Sequence, residues 1–199
     1  MDFFQTIASK GTAELKERGS RFIAYAMPVR DVSDFKKELQ LLKKEHPKAV
    51  HHCFAYRIGT DGNNFRSSDD GEPAGTAGKP ILGQIDSRTI TDTAVVVVRY
   101  FGGTLLGVPG LIQAYKSVTA LVLQVTPVVT RPVLIPYRLE FDYTLTNQVN
   151  LLIKNHQGEV RKRENMLFCE MEIEIPRQQE ESFLHHGKDL RNVVIIRKL

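Results

Sequence analysis

The densest group of chemically capable residues is the segment 67–80, SSDDGEPAGTAGKP, which holds three carboxylates, three glycines and a lysine. Its Gly78-Lys79 pair resembles the end of a phosphate-binding loop. A Walker A motif, however, requires glycine where Pro73 stands and Ser or Thr where Pro80 stands. The alternating spacing of a calcium loop is also missing. Two interpretations stay open: a turn-rich connection whose side chains cap one another and the following helix, or a binding surface.

A metal site is the next candidate, because His51 and His52 could combine with Asp69, Asp70 and Glu72. Neighbouring strand residues face opposite sides of a sheet, so only one of the two histidines could join a given metal. None of the spacings is diagnostic of metal ligands. We therefore predict no metal and no cofactor, with one histidine packed in the core and the other on the surface near the loop.

A glycine-rich connection, RYFGGTLLGVPGL at 99–111, joins a buried strand to a helix and could bring backbone N–H groups to an anion. Arg99 and Lys116 flank it, but no dinucleotide-binding pattern is present. Nucleophilic catalysis has little support, because neither Cys53 nor the serines at 67 and 68 have an activating context. The residues favour a non-enzymatic protein over an enzyme.

Composition narrows the function classes. The 199 residues are 42% hydrophobic and 25% charged with a net charge of +4, typical of a globular protein. This mild positive charge permits a polyanionic partner but is not that of a dedicated nucleic-acid binder. Two isolated cysteines are typical of a reducing cytoplasm, and no basic segment followed by an apolar one marks a signal peptide. No apolar run reaches the roughly 18 residues that span a bilayer. We therefore predict a soluble cytoplasmic protein that does not enter membranes.

The first 130 residues predict a mixed α+β domain. A central helix is expected over Leu111–Val125, which is apolar nearly all round, and Thr93–Val98 reads as a strand buried on both faces. The other expected elements are strands at 12–17, 20–27, 50–58 and 62–67, a helix over 32–45 capped by Asp31, and a short helix with Pro80 at its first position.

Three prolines predict a linker near 127–134 and thus domains at 1–130 and 131–199. The second domain is predicted to follow the ferredoxin-like order βαββαβ. Its elements are a strand at 137–143, a helix from a Thr146 cap to 156, strands at 159–164 and 167–175, a helix over 178–190 and a last strand at 193–196. The open face of this sheet would carry five acids against three bases. Cross-strand ion pairs are therefore expected there rather than stacking with RNA.

Several segments resemble the IMPACT/YigZ family: KG at 10–11, SRFIA at 20–24, HPKA at 46–49, HHCFAYR at 51–57, SDDGEP at 68–73, GTAG at 75–78 and VVVVRYFGG at 95–103. The resemblance implies a ribosomal protein S5 domain 2-like first domain and a ferredoxin-like second domain. That pair is similar to the fourth and fifth domains of elongation factor G, which implies association with RNA or the ribosome and a role in the regulation of translation. It implies no catalytic residues. The chain departs from the family's pattern at Leu105, Pro109 and Gln113, where members commonly carry lysine, glycine and arginine.

The leading hypothesis is a non-enzymatic cytoplasmic factor that associates with RNA or the translation machinery. A hydrolase, metal-dependent or acting on a small molecule, that uses His51 or His52 with the 69–72 carboxylates is one alternative. A protein-interaction adaptor is another. In the leading hypothesis, phosphate groups are contacted by Arg57, Lys79, Arg99 and Lys116, and the Asp69–Thr76 loop shapes the binding surface. The candidate RNA- or ligand-binding residues are His51, Arg57, Asp69, Asp70, Glu72, Thr76, Lys79, Arg99 and Lys116.

Overall fold

A computed structural model of the chain describes residues 1–165 and 168–198. The chain forms two compact units. One is Phe4–Arg131, and the other combines the first three residues with the chain from Pro132 onward. Helices and antiparallel sheets build both units, which confirms the predicted α+β class. No helix within the described residues is long and apolar enough to cross a bilayer.

The elements up to residue 132 include all three of the helices that pack on the large sheet. In chain order they are β1 (Phe3–Ile7), β2 (Gly11–Glu17), β3 (Ser20–Pro28), α1 (Val32–Glu45), β4 (His51–Ile58), β5 (Asn64–Ser68), α2 (Gly78–Ser87), β6 (Thr93–Tyr100), α3 (Gly107–Val125) and β7 (Val128–Pro132).

The large sheet has the strand order β2-β3-β6-β4-β5, with every pair antiparallel. In β6, Val95 and Val97 pack with the core beneath α2 and α3, while Val96 and Val98 pack with the core beneath α1. Residues 94–98 of this strand are all apolar because both of its faces are covered, as the unbroken valine run predicts. Asp31 caps α1 as expected, its carboxylate accepting the N–H of Asp34 at 2.8 Å.

The structure differs from three expectations for this unit. The boundary between the two units, at 131/132, falls inside the segment expected to be a linker, but this segment also forms β7, which pairs with the unpredicted β1. Pro132 is tolerated in β7 because both strands of a two-stranded sheet are edge strands. Helix α2 begins at Gly78, so Pro80 is its third residue. Helix α3 buries only one stripe, and Ile112, Leu121 and Val125 are exposed, so it covers one face of the sheet instead of lying centrally.

The second unit contains β8 (Leu134–Phe141), α4 (Thr146–Asn155), β9 (Glu159–Asn165), β10 (Cys169–Pro176), α5 (Glu180–Lys188) and β11 (Val193–Arg197). Its sheet has the order β11-β8-β10-β9, so the predicted βαββαβ arrangement is confirmed. Thr146 does not cap α4; a short 3-10 turn capped by Asp142 precedes the helix instead. The open face carries cross-strand ion pairs as expected, such as Arg161 with Glu174 at 2.6 Å. Leu167, expected in a strand, lies outside the described residues.

Candidate binding site

The loop between β5 and α2 is held by the carboxylate of Asp69. One of its oxygens accepts the N–H groups of Ala77 and Gly78 at 2.9 and 2.8 Å, and the other accepts that of Gly75 at 2.9 Å. Burial acts to raise the pKa of Asp69, but the N–H groups of Gly75, Gly78 and Ala77 outweigh it, and the pKa is lowered. Asp69 therefore serves as an internal anion at the start of α2, a position that favours negative charge.

A buried ion pair joins this loop to the central strand. The Glu72 carboxylate accepts from Arg99 Nη1 at 2.6 Å, and the two side chains are only 3% and 6% exposed. The same carboxylate oxygen accepts from the Tyr115 hydroxyl at 2.8 Å, while Arg99 Nη2 lies 3.3 Å from Ser20 Oγ. Burial raises the pKa of Tyr115 far above its usual range, so its hydroxyl stays a donor. Arg99 is thus neutralised from within the protein.

The Cys53 thiol belongs to the same network. It donates to the carbonyl oxygen of Asp69 at 3.0 Å and lies 3.3 Å from the Tyr115 hydroxyl. Burial raises the pKa of Cys53 to about 12. A thiol that stays protonated at neutral pH is a weak nucleophile, so this cysteine contributes packing and a hydrogen bond.

The two histidines point to opposite sides of β4, as the strand geometry requires. The ring nitrogen Nδ1 of His51 lies 2.8 Å from the carbonyl oxygen of Asp70, which assigns a proton to Nδ1. The His52 ring is buried, and burial lowers its pKa; its backbone N–H donates to the Asp70 carboxylate at 2.7 Å. Asp70 has a positive φ of 40°, so these contacts hold it in a conformation that is strained for a residue other than glycine.

Arg57, Lys79 and Lys116 lie apart from the ion pair of Glu72 and Arg99, whereas Thr76 lies within the loop that Asp69 holds. Arg57 pairs with Asp86 at 2.7 Å and lies six residues along β4 from His51, a separation of about 20 Å. The Thr76 hydroxyl donates to the Pro73 carbonyl at 2.7 Å. Lys79 and Lys116 are exposed, and neither forms an ion pair with any described residue. Lys116 lies nine residues into α3, about 14 Å along the axis from the helix start.

A cavity of about 430 Å³ opens beside this network. Its polar residues are His51, Glu72 and Arg99, and the rest of its wall is apolar. Several wall residues are exposed at the rim, Leu105 by 82%. We call this feature the rim cavity, and its apolar lining comprises Val50, Pro73, Phe101, Leu105, Leu106, Val108 and Leu111, with the glycine at 107.

The structure brings together six of the predicted residues, His51, Asp69, Asp70, Glu72, Thr76 and Arg99. It adds Tyr115, which sequence reasoning missed. One signal could have found it: a tyrosine within the buried stripe of a helix must have a partner for its hydroxyl. Within residues 1–165 and 168–198, no group of three or more His, Cys, Asp or Glu side chains could hold a metal ion. The oxygens of Asp69 and one oxygen of Glu72 are already hydrogen-bonded.

The chain is similar to known proteins along most of its length. Residues 18–123 match the family model described as the Impact N-terminal domain. The IMPACT family member YvyE of Bacillus subtilis (strain 168) is 36% identical over 166 residues, 82% of this chain and 76% of that protein. YigZ of Escherichia coli (strain K12), also an IMPACT family member, is 34% identical over 159 residues, 79% of this chain and 78% of that protein. A crystal structure of a hypothetical protein aligns with a TM-score of 0.82 and 29% identity, covering 100% of this chain and 98% of the other. These matches show that the chain belongs to the IMPACT family.

Proposed function

We propose that this protein is a non-enzymatic cytoplasmic factor that associates with the translation machinery through the first unit, with a role in the regulation of translation. The observation that carries the proposal is the hydrogen-bonded network of Asp69, Glu72, Arg99, Tyr115 and Cys53. The side chains of this network are hydrogen-bonded to one another and to the backbone, and these bonds fix the loops around the rim cavity. Preorganised loops on a rigid sheet are suited to recognition, whereas a protonated thiol and a neutralised arginine are poorly suited to catalysis.

RNA phosphates are the ligand class that we assign to the exposed cations of this unit. Arg57 and Arg99 already pair with carboxylates. Lys79 and Lys116 do not pair with a described residue and are the proposed phosphate contacts. Each neutralised phosphate on a single strand contributes about −0.7 to the slope of log affinity against log salt concentration, so two contacts predict a slope of about −1.4.

Filter binding of single-stranded ribosomal RNA across a range of salt concentrations tests this proposal. In the Lys79→Gln, Lys116→Gln double variant, the slope of log affinity against log salt concentration should become less negative by about 1.4, because both phosphate contacts are lost. Lys36→Gln is a matched control, because Lys36 is exposed on α1 at the opposite face of the sheet. Failure of the wild type to retain RNA at low salt would reject the proposal, and so would an unchanged slope in the double variant.

A protein partner is the second candidate, and the apolar rim favours it. Phe101, Leu105 and Val108 are 50%, 82% and 52% exposed beside one cavity. Clustered exposed apolar side chains of this kind mark interaction sites. The adaptor hypothesis therefore assigns the rim cavity to an apolar segment of a partner, without contact to nucleic acid.

One substitution distinguishes the two candidates. Leu105→Lys changes a side chain that is mostly in solvent, so the fold should tolerate it. If phosphates approach this loop, the added lysine should strengthen RNA binding and steepen the salt slope by about 0.7. If an apolar segment docks there, the same change should weaken capture of the protein partner in pull-downs after nuclease treatment, and RNA binding should not respond.

A further inference from the structure

Two histidines of the second unit meet at the side of a second cavity. His156 follows the last turn of α4 and is 5% exposed, whereas His186 lies on the exposed side of α5. His156 Nε2 lies 3.1 Å from His186 Nδ1, although the residues are 30 positions apart in sequence. The Ser182 hydroxyl lies 3.3 Å from the first nitrogen and 3.4 Å from the second.

The other nitrogen of His156 fixes the orientation of its ring. Nδ1 lies 2.7 Å from the carbonyl oxygen of Leu152, which assigns the ring proton to Nδ1. The lone pair of Nε2 consequently faces His186 and Ser182. Histidines that bind metals are oriented in this way, donating one N–H to a carbonyl and directing the other nitrogen at the ion.

The separation of the two nitrogens also fits a shared ion. Zinc–imidazole bonds are about 2.0–2.1 Å long, and the tetrahedral angle places two such nitrogens about 3.3 Å apart. The cavity beside the pair has a volume of about 470 Å³, which leaves room for water ligands. It is lined by side chains that include the amides of Gln148, Asn155 and Gln179.

We propose that His156 and His186 form a binding site for a divalent transition metal ion of the zinc class. The Ser182 hydroxyl and water complete the coordination, and the ion links α4 to α5. Imidazole ligands select zinc, copper or nickel over magnesium and calcium, which prefer oxygen. With only two protein nitrogens, the ion is exchangeable and acts as a clamp between the helices. This assignment is independent of the function proposed for the first unit.

Metal titration of the chelator-treated full-length chain tests the site. Zinc chloride alone should bind with one equivalent and raise the unfolding temperature, magnesium chloride should do neither, and cobalt(II) should give a visible absorption band. In nitrogen-15 spectra of the histidine rings, zinc should shift the Nε2 resonance of His156 and leave its Nδ1 protonated.

His186→Ala should abolish the saturable equivalent, and because His186 is exposed the variant should remain folded. His156→Gln should abolish it too. His185→Ala is the matched control, since His185 is the exposed neighbour on α5 and should not alter binding. Three results would overturn the proposal: no zinc uptake by the wild type, uptake by His186→Ala equal to that of the wild type, or loss of uptake in His185→Ala.

Discussion

Removing the carboxylate of Glu72 would leave the Arg99 guanidinium buried without its counter-ion. In the native protein the two groups are 2.6 Å apart and are almost fully enclosed. Glu72→Ala also removes the acceptor of the Tyr115 hydroxyl. Breaking one side of a buried ion pair typically costs about 3–5 kcal/mol, and an unsatisfied buried hydroxyl adds about 1–3 kcal/mol. We therefore expect a loss of at least 3 kcal/mol in the free energy of unfolding.

The double variant Glu72→Leu, Arg99→Met separates this charge effect from simple loss of packing. Replacing both partners by apolar side chains of similar volume is often neutral or stabilising. The double variant should therefore recover most of what the single variant loses, leaving mainly the cost at Tyr115. The exposed pair of Arg161 and Glu174, whose atoms are also 2.6 Å apart, gives the matched control. Glu174→Ala should cost no more than about 1 kcal/mol.

Urea unfolding followed by circular dichroism measures these differences; tryptophan fluorescence cannot be used because the chain has no tryptophan. The expected order of stability is wild type, then the double variant, then Glu72→Ala. If Glu72→Ala and Glu174→Ala lost the same small amount, the pair would not be desolvated, and Arg99 would again be a candidate ligand contact. If the double variant were as unstable as Glu72→Ala, packing rather than charge would explain the loss.

Three more outcomes follow from the first unit. Burial raises the pKa of Cys53 to about 12, so its thiol should react with a disulfide reagent only as fast as the protein opens. Urea should accelerate this reaction. Rapid reaction in the native state would contradict the prediction. Asp69→Ala should destabilise the protein by about 2 kcal/mol at neutral pH, because it removes hydrogen bonds to a charged group. Since the folded pKa of Asp69 is lowered, its contribution is present above the unfolded value near 3.9 and is lost as the pH falls through the folded value. The wild type and the variant should therefore converge in acid unfolding curves. A Cβ on Gly102 would lie 1.9 Å from the carbonyl carbon of Gly19, so Gly102→Ala should lower the unfolding temperature, whereas Gly83→Ala, which meets no atom within 4 Å, should not.

Local sequence patterns predicted the fold well where an element is determined by its own residues. The valine run of β6 and the Asp31 cap of α1 needed no knowledge of distant residues. The strands β1 and β7 were missed because each is short and is defined only by pairing with the other across most of the first unit. Proline-based reasoning could not distinguish a linker from an edge strand, since both tolerate a missing N–H.

The site was predicted as a set of residues but not as an arrangement. Glu72 and Arg99 were each expected to contact a ligand, and their separation of 27 positions hides that they pair with each other. Burial decides between the two outcomes, because an exposed arginine can bind a phosphate whereas a buried one must keep its counter-ion. The contacts of His156 with His186 were missed for the same reason, since their elements meet only when the second unit folds.

The neutral Arg99–Glu72 pair changes what the departures from the family pattern mean. A lysine at position 105 would stand at the rim of a cavity whose inner charges cancel, and it would set the electrostatic potential there almost alone. This chain has Leu105 in that place, so the described residues that line the rim cavity include no exposed cation. The phosphate contacts proposed for the first unit, Lys79 and Lys116, lie outside this cavity, on α2 and α3. An apolar opening of this kind is better suited to a surface that presents apolar and phosphate groups side by side than to RNA alone. On that reasoning whole ribosomes should compete with isolated ribosomal RNA for the protein, and the advantage should persist at salt concentrations that abolish RNA binding.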